Sequence, residues 1–203
     1  MQDIDSGLRD IAEIRSMMER ASKFLSLSGL SGVSAGLIGI AGAAAASTMM
    51  EDETPPDVAT LVLTALVVLV LALGATLLCT RRMARKRGLP SWDAAARRLV
   101  RALLVPLLTG GAFCAVLLVR AHYELLPSVM LVFYGLALLQ AAPMTRSEVR
   151  WLGILELLLG LAAGLWPGWG LLLWGMGFGA LHVVYGIVMY LRYDREIPAG
   201  APR

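Results

Sequence analysis

Apolar residues run in long blocks along this chain, and polar residues are confined to the intervals between them. The blocks cover 25–50, 58–80, 102–119, 125–142, 149–165 and 169–190. Each is close to the roughly 20 residues that an α-helix needs to cross a hydrocarbon core about 30 Å thick. The pattern predicts an all-α polytopic membrane protein, a bundle of six transmembrane helices. Ahead of the first block, Ile4, Leu8, Ile11, Ile14 and Met18 recur every three or four positions on a segment otherwise rich in charge, the period of a helix with one apolar stripe. Residues 1–24 are therefore expected to form an amphipathic cytoplasmic helix, 25–193 the six-helix domain, and 194–203 a cytoplasmic tail. The stripe must be covered, either by the cytoplasmic leaflet or by a partner protein. Its alternating charge signs weaken pure attraction to lipid.

Composition narrows the function classes. With 58% hydrophobic and 16% charged residues in 203, the connectors are too short for a soluble catalytic domain, a DNA-binding module or an extracellular module. No apolar stretch followed by a small-residue cleavage site precedes the first block, so insertion is expected to use the spans themselves. Basic residues are distributed unevenly: 17 of the 18 Lys and Arg fall in the N-terminal segment, the second and fourth connectors and the tail, whereas Arg120 lies on the side of Glu51, Asp52, Glu53 and Asp57. Basic loops stay cytoplasmic during insertion, which puts both termini in the cytoplasm. The net charge of +3 and the Arg-rich stretch 81–87 do not point to nucleic acid, because that stretch abuts a span end and has no interleaved aromatics. The lipid bilayer is the expected partner, together with a homodimer or larger membrane complex.

The connectors carry local signals. Gly88, Pro90, Ser91, Trp92 and Asp93 read as a turn and N-cap leading into the third span. Thr145 and Glu148 have capping-box spacing ahead of the fifth. Trp166 to Gly170 permits only a tight hairpin, making the last two spans antiparallel neighbours. No metal or cofactor is expected. Cys79 and Cys114 lie alone in apolar blocks, and His122 and His182 sit at different depths, which excludes two axial ligands on one haem. The methionines are scattered apolar positions suited to core filling.

The chemistry that remains lies inside the blocks. Small residues let helix backbones approach closely in a membrane, and here they form stripes: Gly29, Gly32, Gly36 and Gly39 in the first span, Gly153, Gly160 and Gly164 in the fifth, Gly175, Gly179 and Gly186 in the sixth. Glu156 shares helical spacing with the fifth-span glycines, and His182 with those of the sixth. Both fall near mid-depth by an axial rise of about 1.5 Å per residue. An ionised group there costs roughly 2.5 kcal/mol or more, so the two are expected to pair across the hairpin, with Tyr134, Tyr185 and, nearer the cytoplasm, Gln140 as further polar partners. Interhelical glue worth about 0.6 kcal/mol per bond is the competing structural explanation.

Three function classes follow. The first is small-solute or proton-coupled transport, or ligand binding, through the buried Glu156 and His182, with no enzymatic step. The second is a non-catalytic accessory subunit or membrane sensor that docks a partner through the N-terminal helix. The third is an intramembrane serine protease, since Gly29-Leu30-Ser31-Gly32 resembles the GxSG motif of rhomboids and His182 precedes Gly186 in the sixth span. That motif lies in the first span here and not the fourth, which ranks this class last. A broader resemblance runs through Ile14 to Arg20, Ser26 to Gly32, Phe133 to Ala137 and Gly177 to Gly186: these segments resemble a family of uncharacterised bacterial six-span integral membrane proteins, in which the position of Gln140 is expected to carry Asn. The resemblance implies the bacterial inner membrane and no reaction.

Overall fold

The computed structural model describes residues 28–51, 57–86, 88 and 92–195. Among these the chain is 92% helical with no strand, and it forms six helices. They are α1 (Gly29–Glu51), α2 (Val58–Lys86), α3 (Ala94–Val119), α4 (Leu126–Ala141, flanked by single 3₁₀ turns), α5 (Ser147–Leu165) and the continuous rod α6 (Pro167–Asp194). Five are long and apolar enough to cross a membrane; α5 stands apart because its 19 residues carry Glu148, Arg150 and Glu156. The amphipathic stripe of Ile4, Leu8, Ile11, Ile14 and Met18 lies outside the described residues, as do Pro90, Ser91 and positions 196–203 of the tail.

Local signals explain several helix starts. Asp93 adopts extended backbone and accepts the Ala96 N–H at 2.7 Å, so the lead-in and third block fuse into one 26-residue helix. Asp57 does the same for α2, accepting the Thr60 N–H at 2.9 Å. Hydrogen bonds from the Thr60 hydroxyl and backbone hold its carboxyl below the ordinary carboxylate value. Gly88 follows α2 at φ +64°, a left-handed turn that suits glycine. The capping box at Thr145 does not form. The Thr145 hydroxyl donates back to the Ala141 and Ala142 carbonyls, and Glu148 is taken by the end of α6. A tertiary ion pair has displaced the local cap.

The helices pack in a row. α4 and α5 are the most intimately joined, α6 lies against both, α1 lies on the other side of α6, and α2 and α3 flank the row on α1 and α4. Backbone contact explains the order. A Cβ on Gly36 would stand 2.6 Å from the Gly179 carbonyl oxygen, and one on Gly39 2.5 Å from that of Phe178. Gly29 and Gly32 meet Gly186 in the same way, and Gly175 meets Ala43. On the other side, Gly135 abuts Gly153, Gly160 faces Val132, and Gly164 faces Ser128, whose hydroxyl donates to the Gly160 carbonyl at 2.7 Å. Apart from Met83 and Ala84, α2 buries no residue and turns Leu63, Leu66, Val70 and Leu77 outward, as a helix bathed in hydrocarbon does.

Candidate functional site

The glycine crossing of α4 and α5 brings three polar side chains of three helices together. On α5 the buried positions Val149, Leu152, Gly153, Glu156, Gly160 and Ala163 follow three- and four-residue spacing, so Glu156 is carried into the interface with the small residues. Its side chain is 0% exposed. On α6, the stretch Gly175–Leu181 is π-helical, a rare widened turn that needs tertiary support. Widening changes the angular spacing: Gly175 and Gly179 face α1, whereas Gly177 faces α5. A Cβ on Gly177 would lie 2.5 Å from Glu156 Oε2 and from the Leu131 side chain, so the Glu156 carboxyl occupies the space that any other residue at 177 would fill.

His182 closes the cluster. Its Nδ1 lies 3.0 Å from the Gly177 carbonyl oxygen and 3.3 Å from Glu156 Oε1, and its Nε2 lies 2.8 Å from the Tyr134 hydroxyl. A carbonyl can only accept, so Nδ1 carries hydrogen and Nε2 of the neutral ring accepts from Tyr134. If the ring gains a proton, both nitrogens donate and the Tyr134 oxygen accepts; the same geometry serves both charge states. Among the described residues, neither oxygen of Glu156 has a hydrogen-bond partner, nor does the buried indole N–H of Trp174. Trp174, Phe178, Tyr134 and His182 form a run of ring contacts with centroids 4.9 to 5.4 Å apart, which fixes the imidazole orientation.

The other expected members lie elsewhere. Tyr185 packs against the apolar cluster of Leu138, Val149 and Leu152. Gln140 is exposed and lines a groove with Arg98 and Arg101. Ser31 and His182 form no nucleophilic pair, since the buried Ser31 hydroxyl donates to the Ser28 carbonyl at 2.6 Å while both ring nitrogens of His182 are engaged as described. Gly177, Phe178 and Trp174 were not singled out by spacing. The one signal for Gly177 is its place in the Gly-Met-Gly-Phe-Gly run.

A second polar cluster clamps the ends of α1, α5 and α6. Asp194 accepts the Gly29 N–H at 2.7 Å and the Ser28 hydroxyl at 3.2 Å. Arg146 stacks 3.5 Å above the Tyr193 ring. Glu148 accepts from Arg192 and Tyr193, both at 2.9 Å, and from Ser147 at 3.3 Å. Burial pushes the Glu148 carboxyl up, but hydrogen bonds from its own backbone, Tyr193, Arg192 and Ser147 outweigh it and hold it below its ordinary value of 4.5. Its contribution is therefore complete above about pH 4.5 and lost as pH falls through the lower folded value. Glu148→Gln is expected to cost about 1 kcal/mol at neutral pH. It should also flatten the acid limb of the thermal midpoint between pH 5 and 3, roughly the range over which carboxylates titrate. A mutant that keeps the wild-type acid slope would refute this assignment.

The chain matches no known family model, no curated protein and no solved structure.

Proposed function

We propose that this is a multi-pass protein of the bacterial inner membrane whose Glu156–His182 pair binds and releases a proton, coupled to the passage or binding of a small solute. The carrying observation is a fully buried carboxyl with no hydrogen-bond partner among the described residues, 3.3 Å from an imidazole whose far nitrogen is held by Tyr134. A glue residue at mid-depth gains nothing from being Glu where Gln would bond as well. The proposal includes α5 as a sixth span: its 19 residues reach about 28 Å at about 1.5 Å each, and short turns join it to α4 and α6. Six crossings put both termini on one side, and the Lys and Arg bias makes that side cytoplasmic.

The test is proton entry into liposomes that contain the purified chain and a pH-sensitive dye, driven by a potassium diffusion potential. Wild type is expected to acidify the lumen, and Glu156→Gln, folded by circular dichroism, to fall to the rate of protein-free vesicles. Unchanged flux in the mutant would overturn the proposal. A second reading, an accessory subunit or sensor within a larger complex, draws on the apolar residues Ile4, Leu8, Ile11, Ile14 and Met18 at helical spacing in the N-terminal sequence. It predicts a partner retained equally by wild type and Glu156→Gln and lost on deletion of residues 1–24.

A further inference from the structure

We infer, resting on the proton-binding reading of the Glu156–His182 pair, that the solute of this site is a protonated primary amine carrying an apolar group, which replaces a proton on the Glu156 carboxyl. Charge limits the class first. Within the six apolar blocks, the acidic or basic side chains are Glu156, His182 and, at one block end, the exposed Arg150. His182 is neutral while its Nε2 accepts from Tyr134, so an ionised Glu156 leaves one uncompensated negative charge in the interior. An anionic solute would add a second and a neutral one would leave the charge unpaired, whereas a monovalent cation cancels it.

Hydrogen-bonding capacity narrows the class further. Three oxygens gather around Gly177: its own carbonyl oxygen, 3.0 Å from His182 Nδ1; Glu156 Oε1, 3.3 Å from the same nitrogen; and Glu156 Oε2, in the space that a Cβ on Gly177 would take. Among the described residues neither carboxyl oxygen is hydrogen-bonded, and the carbonyl keeps a second lone pair after the imidazole has used the first. A primary ammonium group has three N–H donors and no acceptor, which matches this set; a quaternary ammonium has none to offer. The aromatic side chains say what the amine carries. Trp174, Phe178 and Tyr134 are partly buried whereas the Glu156 side chain is 0% exposed, so their run of rings leads from the sealed carboxyl toward the outside of the bundle. Ring faces attract a cation and also pack against apolar groups; sodium would use the three oxygens but has no apolar group to lay on the rings. The exchange is one for one: the carboxyl gives its proton to water as the ammonium ion arrives, and the site is neutral before and after. Among the described residues Tyr134 of α4 and His182 of α6 are the titratable groups that face Glu156, while Tyr185 packs against Leu138, Val149 and Leu152.

Calorimetric titration of the full chain in weakly buffered detergent tests the site, with 2-phenylethylamine, 2-phenylethanol, 3-phenylpropionate and sodium chloride as probes and released protons read alongside the heat. Wild type is expected to bind the amine with release of about one proton per chain, and to tighten by up to about tenfold per pH unit while the carboxyl is mostly protonated. Glu156→Gln, folded by circular dichroism, should bind about a hundredfold more weakly, and Phe178→Leu about tenfold more weakly with the same proton count. Binding of the alcohol or the carboxylate in place of the amine would overturn the cation, and proton release by sodium alone would overturn the amine. Equal amine affinity in wild type and Glu156→Gln would overturn the site. Proton entry into liposomes keeps the two readings apart: entry that depends on Glu156, without amine binding, sinks the ligand and spares the proton pathway. Amine binding that depends on Glu156, without such entry, supports the ligand and sinks the pathway.

Discussion

Gly186→Leu is expected to unseat α6 from α1 and to cost about 3 kcal/mol or more. A Cβ at Gly186 would fall on the Val33 nitrogen and on the Gly29 carbonyl, which are main-chain atoms that cannot rotate aside as a side-chain tip does. Leucine is as apolar as its surroundings, so the loss is steric. Gly74→Leu and Gly111→Leu are the controls, because a Cβ at either meets nothing within 4 Å. Thermal midpoints of the three variants in one detergent decide the point. Equal midpoints for Gly186→Leu and Gly74→Leu would mean that α1 and α6 do not cross backbone to backbone.

His182→Leu is expected to be the second most damaging change, by about 3 kcal/mol, because breaking a buried pair strands the partners left behind. The Glu156 carboxyl would lose the neighbour at 3.3 Å, and the Tyr134 hydroxyl and Gly177 carbonyl would lose their ring nitrogens together. Adding Glu156→Leu removes the stranded carboxyl and should restore part of the loss, while the Tyr134 hydroxyl and Gly177 carbonyl remain without their ring nitrogens. Strictly additive costs in this cycle would show that the two side chains do not share an interaction. Proton entry stays absent in the double variant whatever its stability, which separates structural rescue from the proposed activity.

The helices were legible because lipid removes the alternatives. Among the described residues each apolar block falls in one helix and its immediate flanks, and the largest extensions, at the end of α2 and the start of α3, carry charged residues that a hydropathy reading sets aside. The meeting of Glu156 with His182 followed from spacing and depth alone, and the choice of Tyr134 over Tyr185 did not. Both tyrosines lie on plausible faces, and only the packing decides: Tyr134 reaches His182 Nε2 at 2.8 Å from α4, whereas Tyr185 packs against Leu138, Val149 and Leu152. Thr145 and Glu148 matched a local cap in sequence, but a local cap and a tertiary bond to Arg192 are of similar strength, and only the fold brings Arg192 within 2.9 Å. The cap of α1 was hidden for the same reason: its acceptor, Asp194, lies 165 residues away.

That last contact sets the timing of assembly. α1 is the earliest described helix to emerge during synthesis, yet its first N–H is held by a carboxylate at the far end of α6, and Gly29, Gly32, Gly36 and Gly39 pack against α6. At about 5–20 residues per second, the separation of 165 positions takes on the order of ten to thirty seconds to synthesise. Throughout that interval the face of α1 that carries Gly29, Gly32, Gly36 and Gly39 lacks the α6 backbone it packs against. Completion of the bundle is thus a single late event, the arrival of the last helix, and a chain that stalls before Gly186 leaves an open flank that the bilayer itself cannot close.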